Sequence, residues 1–281
     1  MADGGSGMAR LAGAGLAGSS VPVVIMYHSV IDYDEDPYLV TVSPARFGQQ
    51  LDWLRRRGLR GVSVAELVAA RQAGDGRGLV GLTFDDGYAD FISNVMPALA
   101  ACGFGATVFP IAGRLGGQND WDVKGPRKPL MTADQVRQAA DAGIEIGSHG
   151  LRHVSLPGTA DDELTAEAGR SRAILQQASG QPVTGFCYPY GHLDERAVAA
   201  VRAAGYSYGC AIWRSEITGP HTIPRFFVGE ADTSWRLWAK GMRHWLSWDY
   251  RGPGAGQLAE RLSPAAAAVP APGGGSGPGG G

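Results

Sequence analysis

Between residues 21 and about 250 the chain alternates short apolar runs with amphipathic stretches, and that alternation limits the fold more than any other feature. Residues 21–26, 79–84, 105–111, 144–147, 183–188 and 206–212 read as buried strands, because each is a brief apolar run bounded by turn residues. Helices are expected between them. One opens at Ser43-Pro44, carries Phe47, Leu51 and Leu54 as an apolar stripe and stops at Gly58. Others are expected at 64–73 behind Ser63, at about 89–101, from Thr132 to Gly143, at 161–179 and at 194–204. Strands alternating with helices favour a parallel sheet covered by helices, either closed as a barrel or open and doubly wound. No Gly-x-Gly-x-x-Gly opens a helix after the first strand, which counts against an open nucleotide-binding sheet.

The ends of the chain differ from this middle. Residues 1–20 are mostly small, too weakly apolar for the core of an export signal, and read as a flexible leader. A cytoplasmic location follows from that reading. Residues 252–281 are rich in Gly, Pro and Ala and read as a disordered tail, leaving 21–251 as the folded domain. With 44% hydrophobic residues in 281, a sizeable core is within reach. A net charge of −2 gives no electrostatic case for nucleic acid or for an anionic membrane. No apolar run is long enough for a transmembrane helix. The three cysteines, Cys102, Cys187 and Cys210, lack the paired spacing of a disulfide framework. Nothing in the sequence fixes an oligomeric state.

The unusual polar residues share one location. His28 follows the first strand, Asp85 and Asp86 the strand at 79, His149 and His153 the strand at 144, and Tyr188 and Tyr190 the strand at 183. In a parallel barrel these strand ends meet on one face, where such folds place chemistry. Adjacent carboxylates in Asp85-Asp86-Gly87 resist joint ionisation unless a cation or donors compensate. The pair reads either as a helix cap with a surface neighbour or as a metal ligand beside a proton acceptor. His149 and His153, four apart, read as one face of a helical turn able to reach one ion, or as unrelated loop histidines. Two imidazoles and a carboxylate leave coordination positions open for water and substrate. Cys187-Tyr188-Pro189-Tyr190-Gly191 reads as a turn aiming backbone N–H groups into the site, or as an ordinary strand-to-helix turn.

Together these segments resemble the polysaccharide deacetylases, the family 4 carbohydrate esterases with a nodulation-protein-B-like domain. Thr83-Phe84-Asp85-Asp86-Gly87 is similar to their first motif, Ser148-His149-Gly150-Leu151-Arg152-His153 to their second and Tyr188-Pro189-Tyr190-Gly191 to part of their third. The resemblance spans residues 21 to 228. It implies a distorted, TIM-like (β/α) barrel with fewer than eight regular units. It also implies hydrolysis of the N-acetyl amide of an amino sugar, a carbon–nitrogen bond that is not a peptide. Asp85 would be the base, and Asp86, His149 and His153 would hold a divalent metal, zinc first, with cobalt, nickel or iron as alternatives. The Tyr190 N–H would help hold the oxyanion.

Two departures from the pattern stand out. Family members often carry Arg where Cys187 stands, and Arg225 is the candidate to supply that guanidinium from another strand. A late Leu-x-His that often supplies the general acid has no convincing copy; His221 and His244 lie in other local contexts. The opening Met26-Tyr27-His28-Ser29 resembles a Tyr-His subgroup of exopolysaccharide deacetylases, which favours His28 over His221 as the acid.

Trp121, Trp213 and Tyr190, with Tyr188, are candidates for contact with a sugar, though each also fits core packing. Trp235, Trp238 and Trp245, with Leu237 and Leu246, read as a late helix packed on the barrel. Two rival readings use the same residues: hydrolysis of a non-sugar amide or cyclic imide, and a non-catalytic carbohydrate-binding relative.

Overall fold

The computed structural model describes residues 22–212 and 215–246. The leader expected over 1–20, the tail expected over 252–281, and Trp213 lie outside the described residues.

Strand β1 (Val24–Tyr27) is followed by two short strands, β2 (Ser29–Val30) and β3 (Thr41–Val42), and then by helix α1 (Pro44–Arg56). Next come β4 (Arg60–Val62), α2 (Val64–Gln72) and β5 (Leu79–Asp86). Strand β6 (Thr107–Pro110), α4 (Ala133–Asp141), β7 (Glu145–Ile146) and α5 (Asp161–Ser179) follow the helix α3 (Met96–Cys102). The last elements are β8 (Gly185–Cys187), α6 (Glu195–Ala203), β9 (Tyr208–Cys210), β10 (Phe226–Phe227) and α7 (Ser234–Leu246).

Helix starts follow their local chemistry. The Ser43 and Ser63 hydroxyls accept from the amides of Arg46 and Glu66, and Thr132 and Gln135 form a reciprocal capping box. The helix expected at 89–101 is split. Residues Phe91–Val95 form a π-turn, and α3 begins only at Met96. Pro97 lacks an N–H and its ring crowds the preceding turn, so the helix resets to put proline in its first turn.

The sheet runs β10-β1-β5-β6-β7, all parallel, with β4 paired to the start of β5. A separate β8–β9 pair is also parallel. Single bridges from Ser148 to Phe186 and from Cys210 to Ile223 continue the path from β7 through β8 and β9 towards β10. The strands therefore follow a barrel without a continuous closing ladder, which matches the distorted barrel of fewer than eight units. Strand β5 is central: from Val80 to Asp86 every residue is buried, as expected for a parallel strand covered on both faces. Helices α1 to α6 pack outside through residues such as Phe47, Leu51, Leu99, Val136, Leu175 and Val201. All the carboxyl ends of the strands therefore open on one face, and the long loops after β1, β5, β6 and β7 gather there.

Candidate active site

The cleft at that face is lined by His28, Asp85, Asp86, His149, His153, Trp121, Asp122, Tyr188 and Tyr190, together with Tyr38, Val40 and Ile212. Asp85 and Asp86 complete β5 and are 2% and 4% exposed. Their side chains diverge because the backbone turns sharply: Asp86 and Gly87 both take left-handed φ, 70° and 71°. A Cβ on Gly87 would lie 2.8 Å from the Pro110 backbone, so that position requires glycine.

The second segment corrects a sequence expectation. His149 and His153 do not share a helical turn; residues 149–156 are an irregular loop. Gly150 (φ 78°) and His153 (φ 63°) fold that loop back. The carboxylate of Glu167 on α5 holds it there, accepting from the amides of Leu151 (2.6 Å) and Arg152 (3.1 Å). The imidazoles still converge, with ring centroids 5.0 Å apart.

Their orientation is set from behind. His149 Nδ1 lies 2.9 Å from the Cys187 carbonyl, an acceptor only, so Nδ1 carries the proton and Nε2 is bare. His153 Nδ1 lies 3.1 Å from the Tyr190 hydroxyl. The two Nε2 atoms stand 3.4 Å and 3.3 Å from the same Asp86 oxygen, Oδ1. That oxygen is buried and has no hydrogen-bond partner among the described residues. Unprotonated imidazole nitrogens and a carboxylate oxygen repel one another unless a cation lies between them. The ligand atoms lie within 4.8 Å of one another, and the donor set suits a borderline divalent ion. Burial pushes the pKa of His149 down and that of His153 down to about 4, which keeps both neutral as ligands. Burial raises Asp86, a penalty that a bound cation would reverse.

A second cluster of donors, Asp85, His149 and Cys187, also lies within 4.8 Å, but a guanidinium already fills it. Arg225 Nη1 donates to Asp85 Oδ1 at 2.6 Å and Nη2 to Oδ2 at 2.8 Å, a two-pronged clamp. Nη2 also lies 3.0 Å from Cys187 Sγ, and further bonds reach Thr83 Oγ1 and the Ala211 carbonyl. Burial alone would raise the Asp85 pKa. The charge and hydrogen bonds of Arg225 outweigh it and hold the carboxyl well below the usual range. The small Cys187 side chain leaves room for this guanidinium to arrive from the strand at 226.

Other candidates divide by position. His28, at the end of β1, faces the cleft with a buried Nδ1 that has no partner among the described residues. Burial lowers its pKa, and Asp86 and Asp85 pull it back up. His221 bonds the Tyr206 carbonyl (2.9 Å) and His244 the Pro22 carbonyl (3.1 Å), each beyond the opposite ends of the strands. Neither histidine lines the cleft. Trp121 packs on His153 with centroids 4.6 Å apart. Tyr188 borders the cleft but is fully buried, edge-on against Phe186, so it offers a wall and no free stacking face. Sequence reasoning missed Tyr38, Asp122 and Glu167. Asp122 bonds Tyr88 (3.2 Å) and Asn119 (3.1 Å), and burial together with Asp86 pushes its pKa up to about 6. The available signal for Asp122 was its place beside Trp121 in a long loop.

Comparison with known proteins then decides the family. The polysaccharide deacetylase profile matches residues 72–209, a stretch that holds Asp85, Asp86, His149, His153 and Tyr190. The matched stretch belongs to the polysaccharide deacetylase family. His28 and Arg225 lie outside the matched stretch. YxkH of Bacillus subtilis is 27% identical over 188 residues, covering 66% of this chain and 62% of its own. The poly-beta-1,6-N-acetyl-D-glucosamine N-deacetylase of Escherichia coli K12 is 33% identical over 135 residues, covering 45% of this chain and 20% of its own. The chain thus spans about three fifths of the first relative and one fifth of the second. Among solved structures, the Streptococcus pyogenes deacetylase PplD in complex with acetate superposes with a TM-score of 0.67 at 21% identity. That match covers 78% of this chain and 97% of PplD, and it fixes the polysaccharide deacetylase fold.

Proposed function

We propose that this polysaccharide deacetylase homologue is a metal-dependent hydrolase that removes the N-acetyl group from an amino sugar in a polysaccharide, oligosaccharide or glycoconjugate. The observation that carries this reading is Asp86 Oδ1, unpartnered among the described residues and facing the Nε2 atoms of His149 and His153, beside an Asp85 clamped by Arg225. A divalent cation held by Asp86, His149 and His153, with zinc the first candidate and cobalt, nickel or iron alternatives, would supply Lewis-acid polarisation and a water of lowered pKa.

The chain's own groups do the rest. Asp85 accepts the proton of the attacking water; it is ionised throughout the working range because Arg225 holds its pKa down against burial. Arg225 also fixes the plane of the Asp85 carboxylate by bonding both of its oxygens. The Tyr190 N–H donates to the acyl oxygen as charge builds there; its left-handed φ of 58° turns the amide away from a regular helix. One such donor is worth about 3–4 kcal/mol in the transition state. His28 delivers a proton to the departing nitrogen, since an amine leaves poorly as an anion. Trp121 and the Tyr190 ring offer aromatic surface at the entrance for a sugar face. A non-catalytic binder would have no use for both a clamped base and a facing imidazole.

The substrate named in the E. coli relative, poly-beta-1,6-N-acetyl-D-glucosamine, is the first to try. Release of acetate from N-acetylglucosamine oligomers, with zinc or cobalt added, tests the reading. Acetate released by wild type and not by Asp85→Asn supports it. Release by both, or turnover confined to non-sugar amides or cyclic imides, overturns it.

A further inference from the structure

Helix α7 has two faces. The inner one fastens it to the barrel: Leu237 is 3% exposed, the Lys240 ammonium bonds the Phe227 carbonyl (2.8 Å) and Asp232 (2.5 Å), and the His244 ring lies 5.5 Å from Phe226. The outer one carries Trp235 and Trp238, spaced as neighbours on one helical stripe, with half-buried Met242 one turn on. Trp235 is 68% exposed and Trp238 38%. The expectation that these tryptophans pack on the barrel is therefore corrected: Leu237 takes that place and the indoles turn outward. The side chains of Trp245 and Leu246 lie outside the described residues.

A globular protein's surface helix ordinarily buries one apolar stripe and presents polar groups elsewhere. Here the face opposite the buried stripe is aromatic, and beside it runs a basic flank. Arg236 and Arg243 form that flank, Lys240 being turned inward to Asp232, and the helix has no acidic residue, in a chain of net charge −2. The Arg236 side chain is 53% exposed, with Asp232 at 3.6 Å. Exposed tryptophan beside arginine suits a membrane interface, where the indole sits among headgroups and the guanidinium meets phosphate. At 13 residues the helix is too short to cross a bilayer and would lie along its surface. The charge selects among occupants. A neutral N-acetylated polymer gains nothing from the basic flank, and a deacetylated polymer is cationic and repelled by it.

We propose that the outer face of α7 seats the protein on an anionic lipid surface through Trp235, Trp238 and Arg236. The position fits the cleft. Trp235 opens α7 just after the turn at Gly229, which packs near the carbonyl of Leu39. Leu39 is itself 50% exposed and lies between the cleft residues Tyr38 and Val40.

Vesicle flotation of the full chain tests this. Vesicles of phosphatidylcholine with phosphatidylglycerol are compared with phosphatidylcholine alone, at low and at physiological salt. The expected result is flotation with the anionic vesicles, weakened by salt. A Trp235→Ser/Trp238→Ser variant should bind roughly tenfold or more weakly, because binding scales with the apolar area inserted. Its circular dichroism and its acetate release from a soluble oligomer should match wild type. Three results would overturn the proposal: no flotation at low salt, equal flotation of the variant, or a lipid-free dimer or a retained sugar oligomer that the variant abolishes in place of vesicle binding.

Discussion

The two ends of the barrel each carry a carboxylate, half-buried at Glu145 and buried at Asp86, and treat it in opposite ways. At the amino ends of the strands, Glu145 has both oxygens in use: Oε2 accepts from Thr107 (2.7 Å) and the Ala65 amide (3.0 Å), and Oε1 accepts from Tyr208 (2.8 Å). At the carboxyl ends, Asp86 Oδ1 has no donor and the His28 Nδ1 no partner among the described residues. A buried polar group is normally satisfied, and an orphan signals a missing ion or a chemical role. The lower ring is thus a structural lock, and the upper one is a site prepared for a ligand. The backbone divides likewise: the described non-glycine residues with left-handed φ are Leu39, Asp86, His153 and Tyr190, all at or beside the cleft. Such conformations cost about 1–3 kcal/mol each and persist where the surrounding structure enforces them.

If this contrast is right, substitutions at the two ends should separate rate from stability. The largest effect is expected for Asp85→Asn: a fall in kcat of about 10³-fold or more with metal content unchanged, measured by acetate release and elemental analysis. His28→Gln should cost about 10²- to 10⁴-fold, again without loss of metal. Arg225→Ala should act on both properties. In wild type the folded pKa of Asp85 lies below its unfolded value, so the pair's stabilisation is present above about pH 4 and is lost as pH falls through the folded pKa. Without Arg225, burial dominates and the pKa of Asp85 rises. The acid limb of the pH–activity profile should then move to higher pH, with stability down by about 3–5 kcal/mol for the unpaired buried charge. Tyr208→Phe, at the opposite end, should lower stability by about 1–3 kcal/mol and leave kcat of the folded enzyme unchanged. A large loss of kcat there would break the division between lock and site.

How much of this the sequence carried depends on the interaction. Strands were legible because β5, β6 and β8 are short apolar runs, and the strand ends put Asp85, Asp86, His149 and Tyr190 on one face. Capping hydroxyls at Ser43, Ser63 and Thr132 marked the helix starts. What failed was the local path. The i, i+4 spacing of His149 and His153 suggested a helical turn, yet Glu167, distant in sequence, ties their loop into another shape. Left-handed φ at Asp86 and His153 is enforced by tertiary packing and leaves no mark in residue type. Arg225 could be named as the guanidinium source, but its contact with Cys187 depends on β9 bringing the segment before β10 beside β8. The outward turn of Trp235 and Trp238 escaped because periodicity gives the stripes of a helix and not which stripe meets the core.

The central claim is that Asp86, His149 and His153 hold one divalent cation. Its most direct measurement is zinc binding to the purified, metal-stripped chain by titration calorimetry. The account predicts one zinc per chain in wild type and in Asp85→Asn, and none at that site in Asp86→Ala or His149→Ala variants that remain folded by circular dichroism. Unchanged zinc binding in those two variants, or none in wild type, would contradict it.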